Sequence, residues 1–452
     1  MDKSFDLGRD NVGKLLLKLA TPAIIAQLVN VLYNIVDRIF IGKLENGELA
    51  MAGVGVALPI LMIISAFSAL IGYGGAPLCA IKMGEKNNDE AEKIMSNGFS
   101  MLILIGVILT IVFYIFKEPI LLAFGASEIT IGYANDYLSI YLIGTIFVQI
   151  ALGMNPYINT QGFAKIGMYT VMLGAVLNIV LDPILIFVFD LGVKGAALAT
   201  VLSQFVSAIW VLSFLFGKKS ILKIRKKYLI PDKKIVLNTV ALGISPFIMQ
   251  STESLVLISL NTKLSMYGGD LAVGAMTIMS SIQQIILLPP MGLSQGAQPI
   301  ISYNFGAKNM QRVKKSFKLA ITCCLSYTLI MFLLLMICPE IFVSIFNNNP
   351  ELIDVTSWSI RIFFAGIFMM GAQIACQQTF LALGQAKISL ILALLRKIIL
   401  LIPLIYILPI FVENKLVGTL MAEPISDIVA SLITIITFII FYKKKLSNIG
   451  NE

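Results

Sequence analysis

The chain has 452 residues, of which 58% are hydrophobic and 13% charged, and its formal net charge is +9. This composition excludes an ordinary soluble globular protein. Histidine is absent, which excludes histidine-based triads, zinc sites and proton relays and leaves carboxylates as the credible titrating groups.

Twelve apolar stretches are long enough to cross a bilayer, which takes roughly 20 helical residues. The connections are short except at 217–235, which carries eight Lys or Arg residues. We therefore expect an N-terminal six-helix bundle (1–216), a basic linker (217–235) and a C-terminal six-helix bundle (236–452). The predicted spans are 14–41, 51–81, 94–116, 130–156, 166–189, 193–216, 236–262, 271–303, 317–338, 354–381, 388–412 and 416–442.

The Lys and Arg residues between the spans indicate the orientation in the membrane. Twenty-five lie at the termini, the linker and alternate loops, and five lie in the opposite loops. By the positive-inside rule, both termini and the linker are cytoplasmic, in a multi-pass protein of the cytoplasmic membrane. The positive charge is therefore explained by topology rather than by nucleic acid. The N-terminus also lacks the apolar core and cleavage site of a signal peptide.

The five cysteines lie within or beside apolar spans. None has the spacing of metal ligands, and their odd number argues against a disulfide scaffold. We interpret them as small hydrophobic core residues. No metal centre and no bound cofactor are expected.

The two halves of the chain repeat each other at a shift of 222 positions. The shift pairs Gly84 with Gly306 and Gly144 with Gly366, among other matches. Six helices in each half give both halves the same orientation, so their pseudo-two-fold axis runs along the membrane normal. Duplicated bundles around a central cleft are typical of secondary transporters that work by alternating access.

Span 1 carries a polar stripe in an otherwise apolar helix. Its members are spaced three or four residues apart and share one helical face, which must avoid lipid. The stripe consists of Gln27, Asn30, Asn34 and Asp37, with Tyr33 beside it.

Span 5 carries Asn178 and Asp182 on one face, followed by Pro183. At 1.5 Å per residue, Asp37 and Asp182 lie about 28 and about 26 Å from basic residues at the start of their spans, so they could share one level. Two neighbouring carboxylates with amide partners suit a proton or sodium site. The alternative is a structural polar network.

The second half has a different set of polar groups. Glu253 lies near mid-membrane, and the apolar spans also hold Arg361, Arg396, Lys397, Glu423 and Asp427. Because charges at bilayer depth are costly, mutual pairing of these six is one interpretation. A functional role of Glu253 is the other. Amides in spans 4, 8 and 10 could line a wet central cavity: Asn155, Asn159, Gln161, Gln283, Gln284, Gln295, Gln298, Gln373, Gln377 and Gln378.

Several motifs are informative together. They are Pro22, Gln27 and the run 33–42 in span 1, 72–77 and 83–87 with their repeats at 295–299 and 303–309, and 178–183 in span 5. With these motifs the chain resembles the multidrug and toxic compound extrusion (MATE) family over essentially its full length. The resemblance implies a V-shaped antiporter of 6+6 helices, with Asp37, Asn178 and Asp182 at the family's acid and amide positions. Glu253 lies near a span 7 acid that part of the family carries, but the span 10 acid of those members is absent, because 362–381 contain no Asp or Glu.

The sequence thus predicts a secondary antiporter, not an enzyme, that exports amphipathic or cationic drugs using a proton or sodium gradient. The alternative is a flippase for a lipid-linked precursor, for which Arg361, Arg396 and Lys397 would have to face the cleft. Beyond its substrates and the lipid bilayer, no protein partner is inferred. The expected cation-coupling residues are Asp37, Asn178, Asp182 and Asn34, with sodium possible at the two acids. A substrate or second ion site is expected among Glu253, Gln27, Asn30, Tyr33, Gln283 and Gln284.

Overall fold

The computed structural model describes residues 6–347 and 349–446. The first residues of the predicted N-terminal bundle, 1–5, and the last residues of the predicted C-terminal bundle, 447–452, lie outside the described ranges. Every regular element in the described ranges is helical. The α-helices are α1 (Val12–Gly42), α2 (Gly47–Gly84), α3 (Asn88–Ala123), α4 (Ile131–Ile143), α5 (Thr145–Thr160), α6 (Ala164–Pro183), α7 (Gly192–Leu215), α8 (Lys233–Ser251), α9 (Glu253–Gly306), α10 (Met310–Ile337), α11 (Pro339–Ser344), α12 (Pro350–Phe363), α13 (Ile367–Ala382), α14 (Ala386–Leu394), α15 (Ile402–Phe411) and α16 (Lys415–Phe441).

Among the described residues, ten helical stretches are long and apolar enough to cross a bilayer, and two bent pairs bring the total to twelve if each pair is one span. The pairs are α4 with α5, bent by 60°, and α12 with α13, bent by 51°. They correspond to the predicted spans 130–156 and 354–381. The prediction of an all-α membrane protein with twelve transmembrane helices in two pseudo-symmetric bundles is confirmed.

The two bends fall at glycines that the internal repeat relates, Gly144 and Gly366. A Cβ atom at Gly144 would lie 2.5 Å from the Val201 side chain, and one at Gly366 would lie 2.8 Å from the carbonyl oxygen of Pro424. Because neither glycine has a side chain, a neighbouring segment of chain can approach each bend closely.

Helix α9 consists of two helical segments joined at a sharp kink at Gly269, where φ is +64°. A residue with a Cβ atom would be strained at this left-handed φ. The kink separates the span Lys233–Gly269, which includes α8, from the span Leu271–Gly306. The sequence prediction ended the first of these at 262, short of the kink.

The two halves, α1–α7 and α8–α16, meet on the side of the membrane that carries the linker, which we call the linker side. A Cβ atom at Gly84 would lie 1.9 Å from the carbonyl oxygen of Tyr303, and one at Gly306 would lie 2.0 Å from that of Ile81. Ile81 and Tyr303 are themselves 222 positions apart. The two contacts are thus copies of each other across the pseudo-two-fold axis.

Further into the membrane, the halves meet at the rings of Phe67 and Phe247, whose centroids are 4.9 Å apart. Beside them, the Ser254 hydroxyl donates to the sulfur of Met62 at 3.0 Å. The contacts between the halves described here thus lie between the linker side and this level. A V-shaped molecule closed by these contacts has its cleft on the side away from the linker.

The linker (216–232) is bound along the first turns of α3. The Arg225 guanidinium lies 2.7 Å from a carboxylate oxygen of Glu92, and the backbone N–H of Arg225 donates to the Ser96 hydroxyl at 2.9 Å. The Asn97 amide donates to the carbonyl oxygen of Tyr228 at 2.8 Å. The division of the chain at 217–235 stays a prediction, but this segment is held firmly to the first half.

The start of α1 is held in the corresponding way by the second half. Arg312, near the start of α10, donates to the carbonyl oxygens of Leu7 at 3.0 Å and of Asp10 at 2.7 Å. The Asn304 amide also donates to the carbonyl oxygen of Leu7, at 2.8 Å. The segment that leads into each half's first helix therefore rests on the other half.

Candidate cation and substrate sites

Asp37 and Asp182 lie together in the first half because α1 packs along α6. Their carboxyl groups are direct neighbours and interact with each other. Asp182 is fully buried, and Asp37 is partly buried. The structure thus brings together the two acids that the sequence placed at one level of different spans.

Asn178 connects this acid pair to α7. Its amide donates to a carboxylate oxygen of Asp182 and to the hydroxyl of Thr200, both at 3.3 Å. Three oxygens of the site are buried without a hydrogen-bond donor among the described residues: Asp37 Oδ1, Asn178 Oδ1 and Asp182 Oδ2. Buried acceptors of this kind are costly unless satisfied. The arrangement is suited to binding a proton or a small cation.

Aromatic side chains surround the acid pair. Tyr33 from α1 and Tyr137 from α4 both lie within electrostatic range of Asp37, and Tyr137 also contacts Thr200. The ring of Tyr137 stacks on that of Tyr141, with centroids 6.2 Å apart. Sequence reasoning missed Tyr137, Tyr141 and Thr200. The spacing of the two tyrosines, four residues apart on one helix, was the available signal.

The remaining members of the α1 stripe serve different contacts. The Asn34 amide donates to the carbonyl oxygen of Asn30 at 2.6 Å, and the Asn34 side chain is exposed. Gln27 lies nearer the linker side and donates to Gln295 of α9 at 3.4 Å, across the boundary between the halves. One helical face therefore runs from the acid pair to the contact with the second half.

The second half contains a five-residue charge cluster: Glu253, Arg396, Lys397, Glu423 and Asp427. Arg396 binds Asp427 at 2.8 Å and Glu423 at 3.1 Å, and Lys397 pairs with Glu253. The expectation of mutual pairing is met for these five residues. It is wrong for Arg361, which instead pairs with Glu340 at an exposed position, 3.3 Å away. Arg361 lies in the last turn of α12.

Four of the amides expected around a central cavity have different surroundings. Gln161 accepts from the linker, at Ser220 and at the backbone N–H of Leu222, and Gln377 donates to Ser245. These two are buried and structural, so the cavity prediction is wrong for them. Gln283 donates to Glu423 at 3.1 Å, which ties it to the charge cluster. Gln284 is exposed on the adjacent position of α9.

A sequence model of the MatE family matches residues 22–184 and 246–407, in both halves of the chain. The chain belongs to the MatE family. Each match covers one copy of the internal repeat, and the first includes Asp37, Asn178 and Asp182. The resemblance to MATE efflux transporters in the sequence is thereby confirmed.

Two relatives match the chain over nearly its full length. The chain is 26% identical over 407 residues to the multidrug export protein MepA of Staphylococcus haemolyticus, covering 90% of this chain and 89% of the relative. It is 27% identical over 432 residues to MepA of Staphylococcus saprophyticus, covering 94% of each. Among solved structures, a MATE protein in complex with MaL6 superposes with a TM-score of 0.91 at 23% identity, over 100% of both chains.

Proposed function

We propose that this protein is a secondary antiporter of the cytoplasmic membrane that exports amphipathic or cationic compounds in exchange for protons or sodium ions. The observation that carries the proposal is the acid pair Asp37 and Asp182, with three buried oxygens that have no donor among the described residues. The names of the staphylococcal relatives support the substrate class. Transport in this proposal is driven by the ion gradient and requires no bound cofactor.

Helix α1 provides a route from the ion site to the cleft. It carries Asp37 near one end, and on the linker side it packs against α9 at Gly292 and Gly296. A Cβ atom at Gly296 would lie 2.6 Å from the Cα atom of Ala20. Ion binding between Asp37 and Asp182 would change the position of α1 and so bias the contact between the halves. An ion and a drug need only favour different states of this contact.

The orientation of the proposed antiporter follows from the positive-inside rule, with the linker side cytoplasmic. With the linker side closed by the contacts at Gly84 and Gly306, the cleft would face outwards, the state from which drug leaves and the ion enters. In this proposal Asn34 and Asn178 assist the two acids, whereas Gln27, Asn30 and Tyr33 connect the ion site with the cleft.

The flippase alternative has weaker support. A carrier of a lipid-linked diphosphate needs surplus positive charge in its cleft. Arg396 and Lys397 are buried and face three carboxylates, and Arg361 is paired elsewhere. The described charge cluster is therefore net negative, which favours cationic substrates.

The test uses purified protein reconstituted in liposomes with a fluorescent cationic dye. A proton gradient and a sodium gradient are imposed separately, and dye movement is followed in wild type and in Asp37→Asn. We expect one gradient to drive dye transport and Asp37→Asn to abolish it. The matched control is Asp354→Asn, an exposed carboxylate on α12. Undiminished transport in Asp37→Asn would refute the coupling site, and no response to either gradient would refute the antiporter.

A further inference from the structure

A crevice lies on the surface of the second half, between the first turn of α14 and the end of α16. Its volume is about 270 Å³, and it is lined by Ile388, Thr437, Ile440, Phe441 and Lys444. Ile440 is 51% exposed, so the crevice opens outwards to the bilayer rather than into the bundle. Its lining shares no residue with the acid pair or with the charge cluster. It is therefore a separate feature of the molecule.

The mouth of the crevice lies at the linker-side surface of the membrane. Near the end of α16, the ring of Phe438 stacks on that of Phe317, close to the start of α10, with centroids 4.2 Å apart. Lys444 follows Lys415, the first residue of α16, by 29 positions, or about 43 Å at 1.5 Å per residue. This length matches the roughly 40–45 Å between the two headgroup regions of a bilayer. Lys444 therefore lies at headgroup level.

The inner end of the crevice lies within the hydrocarbon region. Thr437 precedes Lys444 by seven positions and so lies about 10 Å deeper. Ordered water is a poor occupant, because each water needs roughly two to four polar partners and the lining is mainly apolar. A crevice that is cationic at the membrane surface and apolar below it has the polarity of a phospholipid.

The charges around the crevice are of one sign in the sequence. The linker-side segments of the second half, 303–318, 381–394 and 434–446, contain nine Lys or Arg residues and no Asp or Glu. The repeat of the first of these segments, 81–96, contains four acids. Two of those acids, Glu85 and Glu92, pair with Lys82 and Arg225. The first half thus supplies its own counter-charges, whereas anionic lipid headgroups are the matching charge for the second half.

Two of these lysines flank the crevice. Lys444 lines it from the end of α16, and Lys387 is exposed in the first turn of α14, on the opposite wall. The segment Tyr442–Leu446 is π-helical, a conformation that is rare and frequent at functional sites. The ring of Tyr442 lies under the ammonium of Lys314, 5.6 Å from it, which holds the end of α16 on the side of α10. The side towards α14 is the one that the crevice occupies.

We propose that this crevice binds one anionic phospholipid of the linker-side leaflet. An acyl chain lies between α14 and α16, and the phosphate lies between Lys387 and Lys444. Basic pockets between transmembrane helices on the cytoplasmic side bind headgroups in this way. The chain covers Phe441, whose ring packs on that of Phe380 in α13, with centroids 5.5 Å apart. The lipid site does not depend on which compounds the protein exports.

The test measures quenching of a single tryptophan by brominated lipids. The reporter protein carries Trp210→Phe, Trp358→Phe and Ile436→Trp, which places its tryptophan one helical turn from Ile440. The control protein carries Trp358→Phe alone and so retains Trp210 on α7. Position 436 lies five residues before the end of α16, and Trp210 lies five residues before the end of α7. Both positions are exposed, so the two tryptophans are matched in depth and in exposure.

Both proteins are reconstituted in dioleoylphosphatidylcholine, part of which is replaced by brominated phosphatidylglycerol or brominated phosphatidylcholine. At about fivefold for each lysine, we expect phosphatidylglycerol to be preferred about 20-fold at position 436, with no such preference at Trp210. Lys444→Gln in the reporter should lower the preference about fivefold. Lys219→Gln, an exposed lysine of the linker, is the matched control and should leave it unchanged. Equal quenching by the two lipids at position 436 would refute the proposal.

A second variant separates a lipid site from general attraction to a basic surface. Thr437→Phe fills the crevice and keeps every lysine, so the preference at position 436 should disappear, whereas Thr437→Val should retain it. A preference that survives in Thr437→Phe would overturn the proposal. Thermal unfolding verifies that each variant is folded, and Ile388→Phe repeats the test from the opposite wall if Thr437→Phe does not fold.

Two further outcomes would also overturn the lipid assignment. Loss of the preference in excess inorganic phosphate would show that the lysines bind a free anion rather than a lipid headgroup. Quenching at position 436 by neither lipid would show that this face is covered by protein. The expected result is a preference that phosphate leaves unchanged.

Discussion

Asp232, immediately before α8, forms an ion pair with Lys93 on α3, with 2.8 Å between the two atoms. The same aspartate caps α8, because its other carboxylate oxygen accepts from the backbone N–H of Lys234 at 2.9 Å. Its own N–H donates to Asn97 at 2.6 Å. One side chain therefore fastens the first helix of the second half to the first half on the linker side.

Substitution of Asp232 separates its two roles. Asp232→Asn keeps a side chain that can cap the helix but loses the ion pair, whereas Asp232→Ala loses both. We expect Asp232→Ala to lower the Tm in detergent by about 2 °C or more, and Asp232→Asn to lower it less. Equal Tm values for the two variants would show that the cap contributes nothing.

The pH dependence of this ion pair has a definite sign. The hydrogen bond from Lys93, followed by that from the Lys234 backbone, holds the pKa of Asp232 below its ordinary value. A depressed pKa means that the stabilisation is present above about pH 4, the unfolded range of Asp, and is lost as pH falls through the lower folded value. The Tm difference between wild type and Asp232→Asn should therefore be constant near neutrality and vanish in acid. A difference that grows in acid would contradict this.

The glycines at the linker-side contact should be intolerant of any side chain. In Gly84→Ala or Gly306→Ala, the new methyl group would collide with a backbone carbonyl of the opposite half. We expect each to destabilise the closed linker side by about 2 kcal/mol or more, measured as a loss of thermal stability. Gly55→Ala is the control, because a Cβ atom there meets nothing within 4 Å. Because the two contacts are related by symmetry, a large difference between Gly84→Ala and Gly306→Ala would count against the pseudo-two-fold arrangement.

The two arginines of the second half should differ strongly in their contribution to stability. Arg396→Met leaves Glu423 and Asp427 buried without their base, and breaking such a pair typically costs about 3 kcal/mol or more. Arg361→Met removes an exposed pair with Glu340, for which we expect less than about 1 kcal/mol. Thermal unfolding of both variants under identical conditions measures the contrast. Similar losses would mean that the buried network is not a stabilising unit.

Thr200 should tune the ion site without being part of it. Thr200→Val removes the hydroxyl that accepts from Asn178, so the amide loses one of its two anchors. We expect a lower apparent affinity for the coupling ion, by about tenfold, in gradient-driven dye transport. Thr110→Val, which removes a hydroxyl bonded to Gly106 and Leu142 elsewhere in the first half, is the control. An unchanged ion dependence in Thr200→Val would show that Asn178 needs no orientation.

The features that could be predicted from the sequence are those with a local period or a repeat. The three- and four-residue spacing of the α1 stripe identified its polar face, and the shift of 222 positions identified Gly144 and Gly366, at which two spans bend. Apolar length gave all twelve spans. These signals lie within one helix or between two copies of the same helix.

The features that escaped prediction depend on contacts between different helices. Tyr137, which lies within range of Asp37, comes from α4, whose sequence has no period that refers to α1. The presence of six charges in the second half was evident, but which acid takes which base depends on the π-helical turn at Leu395–Leu401. Such a turn is formed by tertiary packing and leaves no mark in helical periodicity.

The hold of Arg312 on the segment before α1 bears on the order in which the protein can be completed. Arg312 and Asp10 are 302 positions apart, so the first helix leaves the ribosome long before its partner exists. Until α10 has been synthesised, the segment before α1 lacks its hydrogen bonds to Arg312. The segment before α1 therefore reaches its final contacts only after the second half has been made. If the two halves were produced separately, the segment before α1 would lack its contacts with α10, and the linker before α8 would lack its contacts with α3.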